Sequence, residues 1–169
     1  MKKAIIIGSA GAGKSTFAKR LGEMTGIEVI HLDSLFWHEG WVPTGREEWI
    51  RIQEGLLRKE QWILDGNYGG TMDMRMEASD SIFFLNYSTV RCLYGALKRR
   101  IMNHGRTRPD MAEGCPEQLD WQFLKWIARY KKDKAPAILA KLSAAEGKDV
   151  YIFHSPEETE EYLLSLTMP

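Results

Sequence analysis

A chain of 169 residues suits one domain of ordinary size, able to bury roughly 70% of its unfolded surface. Its 23 basic and 23 acidic residues cancel, which removes any global field that would gather nucleic acid or an anionic membrane; a polyanion must be bound locally. Two cysteines without metal-ligand spacing, four scattered histidines and no apolar run approaching about 18 residues exclude a zinc module and a membrane span, and point to a soluble cytoplasmic protein with reduced thiols.

Ala4 to Ile7 is a short, largely β-branched run of the kind that forms a buried parallel strand. It leads into Gly8-Ser9-Ala10-Gly11-Ala12-Gly13-Lys14-Ser15, and Ser15 to Met24 then places Phe17, Ala18 and Leu21 on one helical face. A G-x-x-x-x-G-K-[ST] pattern between a strand and a helix is a phosphate-binding loop. Gly8, Gly11, Ala12, Gly13 and Thr16 present backbone N–H groups to a polyphosphate, Lys14 reaches its β and γ oxygens, and the Ser15 hydroxyl is placed to ligate Mg²⁺. A plain glycine-rich turn would need neither Lys14 nor Ser15.

Glu28 to Leu32 reads as a second strand that delivers Asp33 at its carboxyl end, where open α/β sheets place ligands. Thr44 and Glu47 have capping-box spacing, so a helix is predicted from about 45 to 58 with Trp49, Ile52 and Leu56 facing inward. Trp62 to Leu64 forms a third strand and ends in Asp65-Gly66-Asn67-Tyr68, a second carboxylate followed by loop formers. Ser81 to Leu85 is a fourth strand. From Thr89 to Asn103 the positions Val90, Leu93, Tyr94, Leu97 and Ile101 follow helical spacing. The end of that helix is basic, with Lys98, Arg99, Arg100, Arg106 and Arg108 and no acid among them.

Leu119, Phe123, Trp126, Ile127 and Tyr130 mark another helix, in which Trp121 and Trp126 are assigned to packing. Helix continues past Pro136 towards Leu142, Val150 to Phe153 closes a fifth strand, and a short helix runs from about 156 to 166. Five strands alternating with helices, without a linker or composition shift, predict one three-layer α/β domain over 1–169.

The cations around Arg106 and Arg108 repel one another unless an anion visits, which makes that segment a candidate lid. Asp33 fits a general base towards an acceptor hydroxyl, an outer-shell ligand of Mg²⁺, or a cap for the next turn. Asp65, followed by Gly66, fits a partner for the metal's water, an acceptor contact, or an Asp-Gly turn. Tyr68 and Arg75 are further acceptor candidates, Arg75 for an anionic group. Trp37, His38 and Trp41 crowd the same region, where aromatic rings either stack a substrate or cover the core.

The loop at the N-terminus, Asp33 after the second strand, Asp65-Gly66 after the third and the arginine-rich segment resemble the P-loop kinases related to adenylate kinase and shikimate kinase. More narrowly, His31-Leu32-Asp33-Ser34-Leu35-Phe36-Trp37 and Trp62-Ile63-Leu64-Asp65-Gly66-Asn67-Tyr68 are similar to the adenylate-kinase-related family labelled topology modulation protein. The resemblance runs nearly end to end. It implies a three-layer α/β/α P-loop kinase fold with a parallel sheet in the order 2-3-1-4-5, an acceptor region over about 33–75 and a short helical lid over about 100–117. It also implies that adenine lies between Arg99 or Arg100 and the segment 153–156. The resemblance does not extend to D-G-x-P-R, tied to AMP specificity in adenylate kinases, because Asn67 and Tyr68 stand there.

The expected function is an ATP- and Mg²⁺-dependent transfer of the γ-phosphate to a small-molecule acceptor, with Lys14, Asp33, Arg106 and Arg108 as catalytic residues. A nucleoside monophosphate kinase is the alternative within the class. A non-catalytic ATP-binding regulator of DNA topology is the alternative outside it, and zero net charge and the lack of a DNA-binding motif argue against it.

Overall fold

Strand β1 (Lys3–Gly8) lies at the centre of a five-stranded parallel sheet in a computed structural model that describes residues 1–103, 107–117 and 119–167. The other sheet strands are β2 (Val29–His31), β5 (Trp62–Asp65), β6 (Ser81–Leu85) and β7 (Asp149–Phe153), in the order β2-β5-β1-β6-β7. Two short strands between β2 and β5, β3 (Trp37–His38) and β4 (Val42–Pro43), form a separate antiparallel ribbon. Among the five sheet strands alone the order is 2-3-1-4-5; the ribbon is the departure from the predicted element list.

The hydrophobic alternation of β1 explains why it is central. Ala4 and Ile6 pack with Phe17, Phe83 and Phe153 on one face, and Ile5 and Ile7 pack with Leu64 and Phe84 on the other. A strand buried on both faces needs an unbroken apolar run, which this one has from Ala4 to Ile7. Because β1 pairs with β5 on one edge and β6 on the other, the chain reverses direction across the sheet at its carboxyl end. That crevice is the expected ligand site of an open parallel sheet.

Helix α1 (Lys14–Thr25) starts after Gly13 in a left-handed conformation and ends at Gly26, also left-handed. The phosphate loop before it packs by backbone against helix α5 (Thr89–Met102): a Cβ on Gly11 would stand 2.0 Å from the Cys92 carbonyl oxygen, and one on Gly95 would stand 2.1 Å from the Gly11 oxygen. This contact inverts the predicted face of α5. Cys92 and Ala96 are buried against the loop, while Val90 is 77% and Ile101 69% exposed. Only small residues fit where backbone meets backbone, so the larger apolar residues Tyr94 and Leu97 lie on the outer side.

Three further local expectations are corrected. Helix α3 (Arg46–Leu57) is capped by Gly45 without a side chain, because the Thr44 hydroxyl donates to the Phe36 carbonyl (2.7 Å) instead of closing a capping box. Asp33 lies inside a five-residue helix, α2 (Leu32–Phe36), that follows β2 directly. In the lid the described residues 107–117 form turns rather than a helix, as Pro109, Gly114 and Pro116 require. Helix α4 (Met72–Ala78), helices α6 (Trp121–Asp133) and α7 (Ala135–Ser143), and the terminal α8 (Pro156–Ser165) complete the layers. Trp121 is 78% exposed and does not pack as assigned.

Candidate active site

Two cavities meet over the carboxyl ends of β1, β2 and β5. One, of about 390 Å³, is lined by Gly11, Ala12, Gly13, Lys14, Ser15 and Thr16, with Arg91, Lys98, Arg99, Arg108 and Asp110. The other, of about 470 Å³, is lined by Asp33, Trp37, Asp65, Gly66 and Tyr68, with further residues of the ribbon, the lid and α6. Lys14, Ser15, Arg99, Arg108 and Asp110 border both. A group passing from one cavity to the other passes these side chains.

The first cavity has the form of a phosphate cradle. The N–H groups at the start of α1 have no intrahelical partner and, with the helix dipole, can receive an anion. Lys14 Nζ donates to the Ser9 carbonyl (3.0 Å), and burial pushes its pKa below the ordinary lysine value while Asp65 and Asp33 pull it back up. Gly8 takes part from behind. Its N–H donates to Asn67 Oδ1 (3.0 Å), and Asn67 Nδ2 donates to the Gly8 carbonyl (2.8 Å), so one side chain pins the loop's first residue. Asn67 was read from sequence only as a loop former; its place after β5, the neighbour of β1, is the signal for this role.

Asn67→Ala removes two hydrogen bonds worth about 1 kcal/mol each and leaves the loop less ordered. We expect the KM for nucleotide to rise about tenfold with a smaller change in kcat, measured by steady-state kinetics.

In the second cavity the carboxylates are held by neighbours. Tyr68 Oη donates to Asp33 Oδ1, and His31 Nδ1 stands 2.8 Å from Asp65 Oδ2. Burial raises the pKa of Asp33 above the ordinary carboxyl value, with the Tyr68 bond and Lys14 opposing. The bond to Asp65 raises the pKa of His31, against its burial. Burial, then Asp33, pushes the Tyr68 phenol up, which keeps it a donor.

Aromatic rings wall this cavity. Trp37 and Trp41, both on the wall, stand 5.5 Å apart between centroids, and Tyr68 is backed from outside the cavity by Phe36 (4.7 Å) and Trp49 (4.9 Å). Trp41 (φ 64) and Tyr68 (φ 39) are the non-glycine residues with left-handed backbones among the described residues. Each conformation costs about 1–3 kcal/mol and is characteristic of sites that position ligands. Trp126, assigned to packing, lines the cavity too.

Arg75 does not. It is fully buried, and its guanidinium donates to the carbonyls of Gly66 (2.8 Å), Asn67 and Tyr68 (3.0 Å). Burial lowers its pKa to about 10. The side chain folds back on the preceding loop and is spent on backbone, so it meets no acceptor. Arg108 borders both cavities and is ion-paired to Asp110 (2.8 Å) and Glu117 (2.7 Å); Glu117 also accepts from Arg99 Nε (2.8 Å). Arg100 borders neither cavity, because the helical phase that carries Gly95 to the loop carries Arg99 there instead. The segment 153–156 also borders neither. Arg106 lies outside the described residues.

The lid and the ribbon are tied together. Gly40 N–H donates to the Gly114 carbonyl (3.1 Å), the Cys115 thiol to the His38 carbonyl (3.1 Å), and Gly114 lies so close that a Cβ would meet Glu39 Cγ at 2.4 Å. His38 is exposed and Thr44 Oγ1 lies 3.2 Å from its Nε2.

A glycine loop between β1 and α1 at the carboxyl edge of a central parallel sheet in this strand order is the fold of the P-loop kinases. Comparisons agree. A gluconokinase structure from Sinorhizobium meliloti 1021 superposes with a TM-score of 0.56 at 17% identity, covering 98% of this chain and 91% of that one. A shikimate kinase structure from Bacteroides thetaiotaomicron gives 0.55 at 17% identity, covering 98% and 95%. In sequence, the chain is 33% identical over 63 residues to the shikimate kinase of Mycobacterium leprae (strain TN), a match covering 33% of this chain and 32% of that protein. No family model matches the chain. Among the described residues no helix is long and apolar enough to cross a membrane, and none of the His, Cys, Asp and Glu side chains group into a metal cluster.

Proposed function

We propose that the chain is a phosphotransferase that moves the γ-phosphate of ATP to a hydroxyl of a small molecule. The observation that supports the reading is the shared border of the two cavities: Lys14 and Ser15 line both, and Asp33 lines the second. Membership of the adenylate-kinase-related family is part of the proposal. Its two diagnostic segments meet in one wall, where Phe36 packs on Tyr68 and Tyr68 binds Asp33.

Phosphoryl transfer asks the protein for in-line positioning and for cations around the transferring group. The loop N–H groups and Lys14 hold the β and γ phosphates, while Arg99 and Arg108 stand at the border where the equatorial oxygens gain charge. The Asp33 carboxylate accepts the proton of the acceptor hydroxyl as its oxygen bonds to phosphorus. The bond from phosphorus to the β-bridging oxygen breaks, and the electron pair leaves with ADP. The Ser15 hydroxyl at the start of α1, a hard oxygen donor on the border of both cavities, fits a hydrated Mg²⁺. When bound, that ion neutralises charge on the phosphates.

The test is MgATP consumption coupled to ADP detection over a panel of alcohols, nucleosides and nucleotides, with Lys14→Ala as the control. Lys14→Ala is expected to lower turnover by about 10³-fold or more while keeping the fold. Wild-type rates in that variant would end the reading.

Asp33 works as a base only when ionised. Since its pKa is raised in the folded protein, the acid limb of kcat/KM sits above the ordinary carboxyl range, and activity is lost as pH falls through it. Tyr68→Phe deletes a hydrogen bond that lowers this pKa, so the limb moves to higher pH. A pH–rate profile of both proteins checks the direction.

A further inference from the structure

The two cavities differ in charge, and the difference bears on the acceptor. The cradle cavity has Lys14, Arg91, Lys98, Arg99 and Arg108 against the single acid Asp110. The other cavity has Asp33, Asp65, Asp110, Glu117 and Asp120. Its cations are Lys14, Arg99, Arg108 and His31, and all but His31 also border the cradle, where the polyphosphate claims them. Arg99 and Arg108 are moreover already paired with Glu117, and Arg108 with Asp110. His31 is bound to Asp65. Arg75, the cation that the sequence offered for an anionic acceptor, is enclosed by carbonyls.

An anion in this cavity would therefore meet several carboxylates and no free cation among the described residues. Like charges in a partly desolvated site cost more than in water. Three buried atoms on the wall have no hydrogen-bond partner among the described residues: Arg108 Nε, which still stands in ion-pair contact with Glu117, and Asp65 Oδ1 and Trp41 Nε1. The carboxylate oxygen asks for a donor, and the indole N–H asks for an acceptor. A hydroxyl supplies both and an amine supplies the first; a carboxylate or phosphate meets Asp65 with repulsion. Trp37, Trp41, Tyr68 and Trp126 add ring faces that suit the apolar side of a polyol or a cation.

We infer that the acceptor is a hydroxylated molecule without phosphate or carboxylate, either uncharged or bearing an amine, a conclusion that rests on the phosphotransferase reading. It selects against nucleoside monophosphates and hydroxy acids.

Two ligand series, each with one skeleton in three charge states, test this by calorimetry with MgADP present. The first is gluconate, glucitol and 1-amino-1-deoxyglucitol; the second is AMP, adenosine and 5′-amino-5′-deoxyadenosine. The neutral and amine members are expected to bind at least about tenfold more tightly than the anion in the series the cavity accepts. Asp120→Asn keeps the α6 cap, since the side-chain oxygen still accepts from Phe123 N–H, and removes one acid. In that variant the preference for the amine falls about threefold.

An anion that binds best in either series overturns the inference, and so does the lack of discrimination in both, absence of binding included. MgADP titrated alone separates the two levels. If it binds and the anions win, only the acceptor class falls; if it does not bind, the phosphotransferase reading falls first.

Discussion

Arg75→Met is expected to lower the free energy of unfolding by on the order of 3 kcal/mol, seen as a fall in the urea midpoint. The guanidinium is fully buried and donates to the carbonyls of Gly66, Asn67 and Tyr68. Methionine fills much of the volume but donates nothing. Three acceptors then stay dry and unpaired, at about 1 kcal/mol or more each. In a domain whose whole stability is about 5–15 kcal/mol, that is a large share. Arg75→Lys does not rescue it, because one ammonium cannot reproduce the planar fork that reaches three carbonyls. A midpoint within experimental error of wild type would show that water replaces the guanidinium and that the loop does not depend on it.

Asp33→Asn is expected to lower kcat by about 10²–10⁴-fold, or roughly 3–5 kcal/mol of barrier, with KM for ATP little changed. Asparagine keeps an oxygen for Tyr68 and nearly the same shape, so the wall of the cavity stands. What is lost is the proton acceptor. The acid limb of the pH–rate profile should vanish with it, which a merely structural contribution would not cause. A variant that loses less than about threefold would transfer the base's role to another group or to none.

The donor half of this arrangement was legible in the sequence because it is local: strand, glycine turn and helix follow one another without interruption from Lys3 to Thr25. Strand β6 was read at its bounds, Ser81–Leu85, since a run buried on both faces is apolar throughout. The acceptor half depends on contacts between distant segments. Periodicity marked Val90, Leu97 and Ile101 as an inward stripe, but the inner face of α5 meets backbone at Gly11, and there size outweighs hydrophobicity. Likewise a charged residue on the seven-residue helix α4 carries no sign that it folds back onto 66–68. Thr44 shows the same limit, its hydroxyl being taken by a carbonyl eight residues earlier.

The clasp between Gly40 and Gly114, with Cys115 on His38, ties the aromatic ribbon to the segment 107–117. Arg108 stands six positions before Gly114 and borders both cavities, so the ribbon and the cation at the shared border belong to one hydrogen-bonded assembly. On the proposed phosphotransferase reading, a change at the rim of one cavity is therefore expected to alter access to the other.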